Sequence, residues 1–129
     1  MNRAARRPPH RGFLAALRNA RLGVREAFRS EPNLRIQSAI GAAAVALSLW
    51  LGTGTAVVLL ASGLVIASEL LNAAFERLAD AVHPSPHPLV GAAKDAAAGA
   101  VLVSAVAAAL VGLVSLGPAL VERLAGWLR

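Results

Sequence analysis

The sequence predicts an all-α integral membrane protein made of an N-terminal amphipathic surface helix and three transmembrane helices. The 129 residues are 57% hydrophobic and only 16% charged, and no charged residue occurs in the 33 positions from Ile36 to Ser68. A water-soluble domain of this size needs more polar surface, because small proteins have a high ratio of surface to volume. Lipid is therefore the expected solvent for most of the chain.

The first 35 residues are strongly basic. They hold nine of the thirteen cationic side chains and only two acids, a balance of +7. Residues 1–11 are predicted to be a solvated basic tail, since no apolar stretch of signal-peptide length follows them. Residues 12–31 are predicted to form a helix on the membrane surface, because apolar side chains recur at helical spacing among the arginines. Without interleaved aromatic residues, this charge favours anionic lipid headgroups over nucleic acid.

The apolar remainder divides into three spans. The charge-free run is too long for one crossing, which takes about 20 residues, and Gly52-Thr53-Gly54-Thr55 is the predicted turn. A proline-rich segment, His83 to Pro88, must end the second span, and Pro88 suits the first turn of the third. The predicted spans are about 34–51, 56–82 and 88–121, followed by a short tail at 122–129.

The arginine bias also predicts the orientation. Basic residues concentrate on the cytoplasmic side of membrane proteins, so the N-terminus is expected in the cytoplasm. Three spans in the inner, cytoplasmic membrane then place the C-terminus outside.

Four polar residues of the second span fall on one face of the helix. Glu69, Asn72, Glu76 and Asp80 are spaced so that they lie within about 80° of one another. Carboxylates inside a membrane are costly and are usually functional. Counting about 1.5 Å per residue, Glu76 reaches the cytoplasmic boundary and Glu69 lies roughly 10 Å deeper.

Lys94 and Asp95 on the third span, and Glu31 at the start of the first, lie at a similar level. The set offers carboxylates for Mg²⁺, a cation for phosphate and a buried base, which are the groups that phosphoryl transfer needs. The same residues also allow other interpretations: the stripe as a polar packing seam or proton relay, and Lys94-Asp95 as a local ion pair. The two histidines of the proline-rich segment lack companion ligands, so a loop is the preferred interpretation there.

Four segments resemble the prokaryotic diacylglycerol kinase family of small membrane enzymes, including its undecaprenol kinase branch. They are AFRSEPNLRI at residues 27–36, ASELLNAAFE at 67–76, and HPL with AKDAAAGAV at 87–89 and 93–101. The resemblance extends from about Gly12 to Pro118. It departs from the family at Pro32, where a helix-continuing residue is more usual, and at Gln37, where the undecaprenol branch often has histidine.

The resemblance implies an ATP-dependent lipid kinase with a site shared between the chains of a homotrimer. Glu69 would be the general base, and Glu31 and Glu76 would hold Mg²⁺ and contact ATP. Further ATP-binding residues would be Asn72, Lys94 and Asp95, with Asp80 and Arg35 as candidate contacts to ATP or substrate.

Two functions of other classes remain open at this point. A proton-coupled transporter would use Glu69 as its membrane carboxylate, and a non-catalytic interaction protein would need none of the polar set. Lys94-Asp95 and Glu31 favour the kinase, because a proton-coupled exporter needs no phosphate-binding cation beside its carboxylates. Undecaprenol and diacylglycerol both remain candidate substrates, and a nucleic-acid partner is not expected.

Overall fold

Four helices account for almost all of residues 12–128, the part of the chain described by the structure, a computed structural model. The predicted tail at residues 1–11 lies outside that part. The helices are α1 (Phe13–Ser30), α2 (Pro32–Leu51), α3 (Thr55–Val82) and α4 (Pro88–Trp127).

Three of these helices are long and apolar enough to cross a membrane, namely α2, α3 and α4. The sequence predicted three such helices, and the structure has three in the described part of the chain. Many large apolar side chains on these helices are exposed, for example Leu60 at 75% and Val114 at 74%. Such surfaces suit a lipid environment or contact with other membrane helices.

The breaks between the helices follow from local sequence. Glu31 is the single extended residue between α1 and α2, and Pro32 occupies the first turn of α2, where its missing N–H is not needed. Gly52 and Gly54 both have left-handed backbone conformations, with φ of 72° and 70°, which glycine adopts without steric cost. The predicted turn between the first two spans is thus present.

α3 is the central helix and packs against both α2 and α4. At one level Gly41 of α2 approaches α3 so closely that a Cβ there would lie 3.1 Å from the Cβ of Ser62. On the other side, the hydroxyls of Ser68 in α3 and Ser104 in α4 are 2.9 Å apart and share a hydrogen bond. Small residues therefore bring the three spans into close contact.

The last helix extends further than the sequence indicated. Residues 122–127, expected in a short tail, continue α4 as far as Trp127. Arg123 donates a hydrogen bond to the carbonyl of Trp50 at 3.3 Å, and its guanidinium lies 4.9 Å from the centre of the Trp50 ring. Trp50 also contacts Trp127 edge to face, with ring centres 6.2 Å apart. These contacts hold the end of α4 against the end of α2 and favour the longer helix.

Candidate active site

The predicted polar stripe lies on α3, and its members become more exposed toward the end of the helix. Glu69 is buried, with 6% of its surface exposed. Asn72 and Glu76 are half-buried, and Asp80 is exposed. Glu69 is therefore the most buried member of the stripe.

Two members of the stripe are bonded to each other. The Asn72 Nδ2 group donates to Glu76 Oε1 at 3.1 Å. The other end of the amide, Oδ1, is buried and has no hydrogen-bond partner among residues 12–128. Most buried polar atoms in proteins have a hydrogen-bond partner, so this oxygen is an exception within the described part of the chain.

Glu31 lies at the junction of α1 and α2, close to the stripe. Its Oε1 atom accepts a hydrogen bond from Ser30 at 3.0 Å and forms an ion pair with Arg77 Nη2 at 3.0 Å. Arg77 directly follows Glu76 in α3. The ion pair therefore ties Glu31 to the outer part of the stripe.

Lys94 and Asp80 form an ion pair between α4 and α3, with Nζ and Oδ1 2.7 Å apart. The local pairing considered for Lys94 is thus made with Asp80 rather than with its neighbour Asp95, which is exposed. This contact holds the ammonium group beside the outer end of the stripe.

Arg35, a candidate contact to ATP or substrate, bonds to the end of α1. Its Nη1 donates to the carbonyls of Phe28 and Arg29, at 3.2 and 3.1 Å. These are among the last carbonyls of α1, which have no partners within the helix. Arg35 therefore caps α1 in this structure.

A cavity of about 290 Å³ adjoins Glu69 between α2, α3 and α4. Its polar lining comes from Asn33, Gln37 and Glu69, and its remaining walls are aliphatic. A carboxylate at the edge of a largely apolar cavity can meet a polar group carried by an apolar molecule.

Sequence reasoning missed three residues around this site. Arg77 was overlooked although it is a cation directly after Glu76, on a helix whose other charged residues are acids. Asn33 and Gln37 are one helical turn apart at the start of α2, a spacing that places them on one face. That shared polar face was the available signal for the cavity.

This chain is a small helical protein with three candidate membrane spans, and its carboxylates lie near one end of them. It therefore belongs to the class of integral membrane proteins with an ionisable site. The profile of the prokaryotic diacylglycerol kinase family matches residues 18–116. The chain belongs to this family, which makes it a lipid kinase by class and a multi-pass protein of the inner membrane.

Two relatives support the assignment. A diacylglycerol kinase of Synechocystis is 42% identical over 104 residues, which are 78% of this chain and 59% of that protein. An undecaprenol kinase of Bacillus subtilis is 36% identical over 116 residues, which are 84% of this chain and 90% of that protein. The chain thus spans less than two thirds of the Synechocystis relative and nearly all of the Bacillus one.

Proposed function

We propose that this protein transfers the γ-phosphoryl group of ATP to the hydroxyl of a membrane lipid at the cytoplasmic face of the membrane. The observation that carries the proposal is the position of Glu69. Its carboxylate is buried and adjoins a cavity between the spans. The reaction needs such a position, because the lipid has to reach the site from apolar surroundings and the nucleotide phosphate from polar ones.

Glu69 acts as the general base. Its carboxylate takes the proton of the lipid hydroxyl while that oxygen forms a bond to the γ-phosphorus. The bond from the γ-phosphorus to the bridging oxygen breaks, and its electron pair leaves with ADP. The proton then passes from Glu69 to solvent, which restores the base. A positioned base typically contributes about 10²- to 10⁴-fold to such a step.

Mg²⁺ is the metal that we propose for the outer part of the stripe, because phosphoryl transfer needs its charge. Glu31 and Glu76 would hold it, and Asn72 Nδ2 already donates to Glu76 Oε1. Among residues 12–128 no group of three or more histidine, cysteine or acidic side chains is placed to hold a metal. Mg²⁺ commonly uses one or two carboxylates, with phosphate and water as its other ligands. When bound, it neutralises charge on the phosphate oxygens.

The nucleotide occupies the more exposed end of the stripe. Asn72, Lys94 and Asp95 organise the ATP phosphates together with the two metal-binding carboxylates. Lys94 is held near this end by its ion pair with Asp80. Asp80 and Arg35 remain our candidate contacts to ATP or substrate, and Arg35 also fixes the end of α1 beside Glu31.

The surroundings follow from the same arrangement. α1 is an amphipathic surface helix, and its exposed Phe13, Leu14 and Leu17 enter the headgroup region. The N-terminus is cytoplasmic and the C-terminus is outside, from the arginine bias. The chain works as a homotrimer, because three thin helices with so much exposed apolar surface cannot enclose ATP and a lipid alone, and the site is shared between neighbouring subunits.

The lipid substrate is undecaprenol or diacylglycerol. The relatives carry both names, and the aliphatic walls of the cavity at Glu69 suit either chain. Purified protein in detergent micelles, supplied with Mg²⁺, radiolabelled ATP and each lipid in turn, should label one or both. Absence of label in both lipids, with the E69Q protein as background, would refute the proposed function.

A further inference from the structure

Arg77 connects α3 to the junction between α1 and α2. Its Nη2 atom contacts Glu31 Oε1 at 3.0 Å and also donates to the hydroxyl of Ser30. The partners are 46 and 47 residues away in sequence, so the contact forms only when the helices assemble. α1 and α3 otherwise touch sparingly, which makes this contact the main polar tie between the junction and α3 within residues 12–128.

Both donors act on the same oxygen of Glu31. Arg77 Nη2 donates to Oε1 at 3.0 Å. Ser30 Oγ also lies 3.0 Å from Oε1, and its single hydrogen is shared with the Glu26 carbonyl at 3.1 Å. Oε2 has no hydrogen bond from the described residues, so one carboxylate oxygen is fixed and the other is left for a ligand. When one oxygen of a carboxylate binds a metal, donors that hydrogen-bond to its other oxygen orient the group. Their loss typically lowers metal affinity or activity by about 10- to 100-fold.

The ion pair contributes little to the stability of the fold. The side chains of Arg77 and Glu31 are 44% and 29% exposed, and pairs with this exposure are weak because solvent screens them. Glu31 is also the one non-helical residue between two helices, so its side chain depends on such contacts for its direction. The contact therefore matters more for where the carboxylate points than for whether the chain folds.

Charge balance supports the same role. Arg77 directly follows Glu76 in α3 and pairs with Glu31 at the junction, while Lys94 is engaged by Asp80. Within residues 12–128, Arg77 is the cation in direct contact with Glu31. Its guanidinium offers several donors in a fixed plane, whereas lysine offers a single ammonium group on a flexible stem.

We propose that Arg77 is a positioning residue that acts through Glu31: it holds Oε1 so that Oε2 faces the Mg²⁺ of the bound nucleotide. The proposal rests on the proposed function for the identity of the metal–nucleotide complex. It assigns Arg77 no contact with the lipid or with the transferred phosphoryl group.

The test compares R77K and R77M with the unchanged protein, full length in micelles. The primary measurement is Mn²⁺ affinity by electron paramagnetic resonance, with a non-hydrolysable ATP analogue present. We expect R77M to weaken Mn²⁺ binding about tenfold or more and R77K to lie between R77M and the unchanged protein. The Mg²⁺ midpoint of lipid phosphorylation should rise in the same order. R123M, which removes a guanidinium at the opposite end of the spans, should change neither quantity.

Three results would overturn the proposal: an unchanged Mn²⁺ affinity in R77M, a tighter affinity as expected if Arg77 competes with the metal, or R77K equal to the unchanged protein while R77M is weakened. The last would reduce Arg77 to a diffuse charge without a positioning role. If R77M failed to fold, R77K would decide, since it keeps the charge. Weaker Mn²⁺ binding in R77K would support the proposal, and binding equal to that of the unchanged protein would overturn it. If the unchanged protein phosphorylated no lipid, the proposed function would fail, but the Mn²⁺ measurement would still decide the role of Arg77.

Discussion

Replacing Glu69 with glutamine should nearly abolish catalysis while leaving the assembled protein intact. The substitution keeps the size of the side chain and most of its hydrogen-bonding capacity but removes the base. Glu69 is only 6% exposed, so bulk water has poor access to the position that its carboxylate leaves. We therefore expect kcat to fall by about 10² or more, which corresponds to at least about 2.7 kcal/mol in the activation barrier.

ATP affinity should change little in the E69Q protein, because Glu69 is the deepest member of the stripe and the nucleotide occupies the exposed end. Insertion and folding should survive, since a neutral amide costs less to bury than a carboxylate. The assay combines steady-state kinetics in lipid micelles with direct ATP binding. E122Q, which neutralises an exposed acid on the last turns of α4, is the matched control and should retain full kcat.

A near-normal kcat in E69Q, with loss of activity in D80N or D95N, would place the base elsewhere. A large fall in ATP affinity would instead mean that Glu69 belongs to the nucleotide site. Either result would contradict the proposed assignment of the deep carboxylate to proton transfer.

Three further predictions follow from other features. E31Q and E76Q should each severely lower the Mg²⁺-dependent activity, as measured by Mg²⁺ titration; wild-type rates with an unchanged Mg²⁺ midpoint would remove that residue from the metal site. Reporter fusions should place the N-terminus inside and the C-terminus outside, and a cytoplasmic C-terminus would contradict three spans. G41A should lower the free energy of unfolding by about 1–3 kcal/mol. The new Cβ would lie 3.1 Å from the Cβ of Ser62, an atom that no side-chain rotation can move away. G63A, with nothing within 4 Å of a new Cβ, should not lower it.

The spans and their turns could be predicted from the sequence because they depend on local properties. The length of a charge-free run limits the number of crossings, and the glycines at 52 and 54 indicate the turn. Their positive φ angles then account for the choice of residue. The continuation of α4 to Trp127 was not accessible, because it depends on contacts with Trp50 across 73 residues.

The candidate site could be predicted from the sequence only in part. The stripe on α3 follows from helical periodicity, so Glu69, Asn72 and Glu76 could be placed on one face in advance. Their partners could not, because Glu31 meets Arg77 over 46 residues and no local pattern encodes that pairing. The pairing of Lys94 with Asp80 rather than Asp95 likewise depends on how α3 and α4 pack, which periodicity alone does not specify.

The contact between Trp50 and Trp127 also determines what intrinsic fluorescence can report. The chain has two tryptophans and no tyrosine, and both indoles lie where α2 and α4 end. Glu76 is 21 residues from the start of α3, or about 31 Å along the helix from that end. Excitation at the red edge of indole absorption therefore probes the end of the molecule remote from the carboxylates. A change in emission when nucleotide is added would report movement transmitted along the spans, and not direct quenching by the adenine ring of the nucleotide.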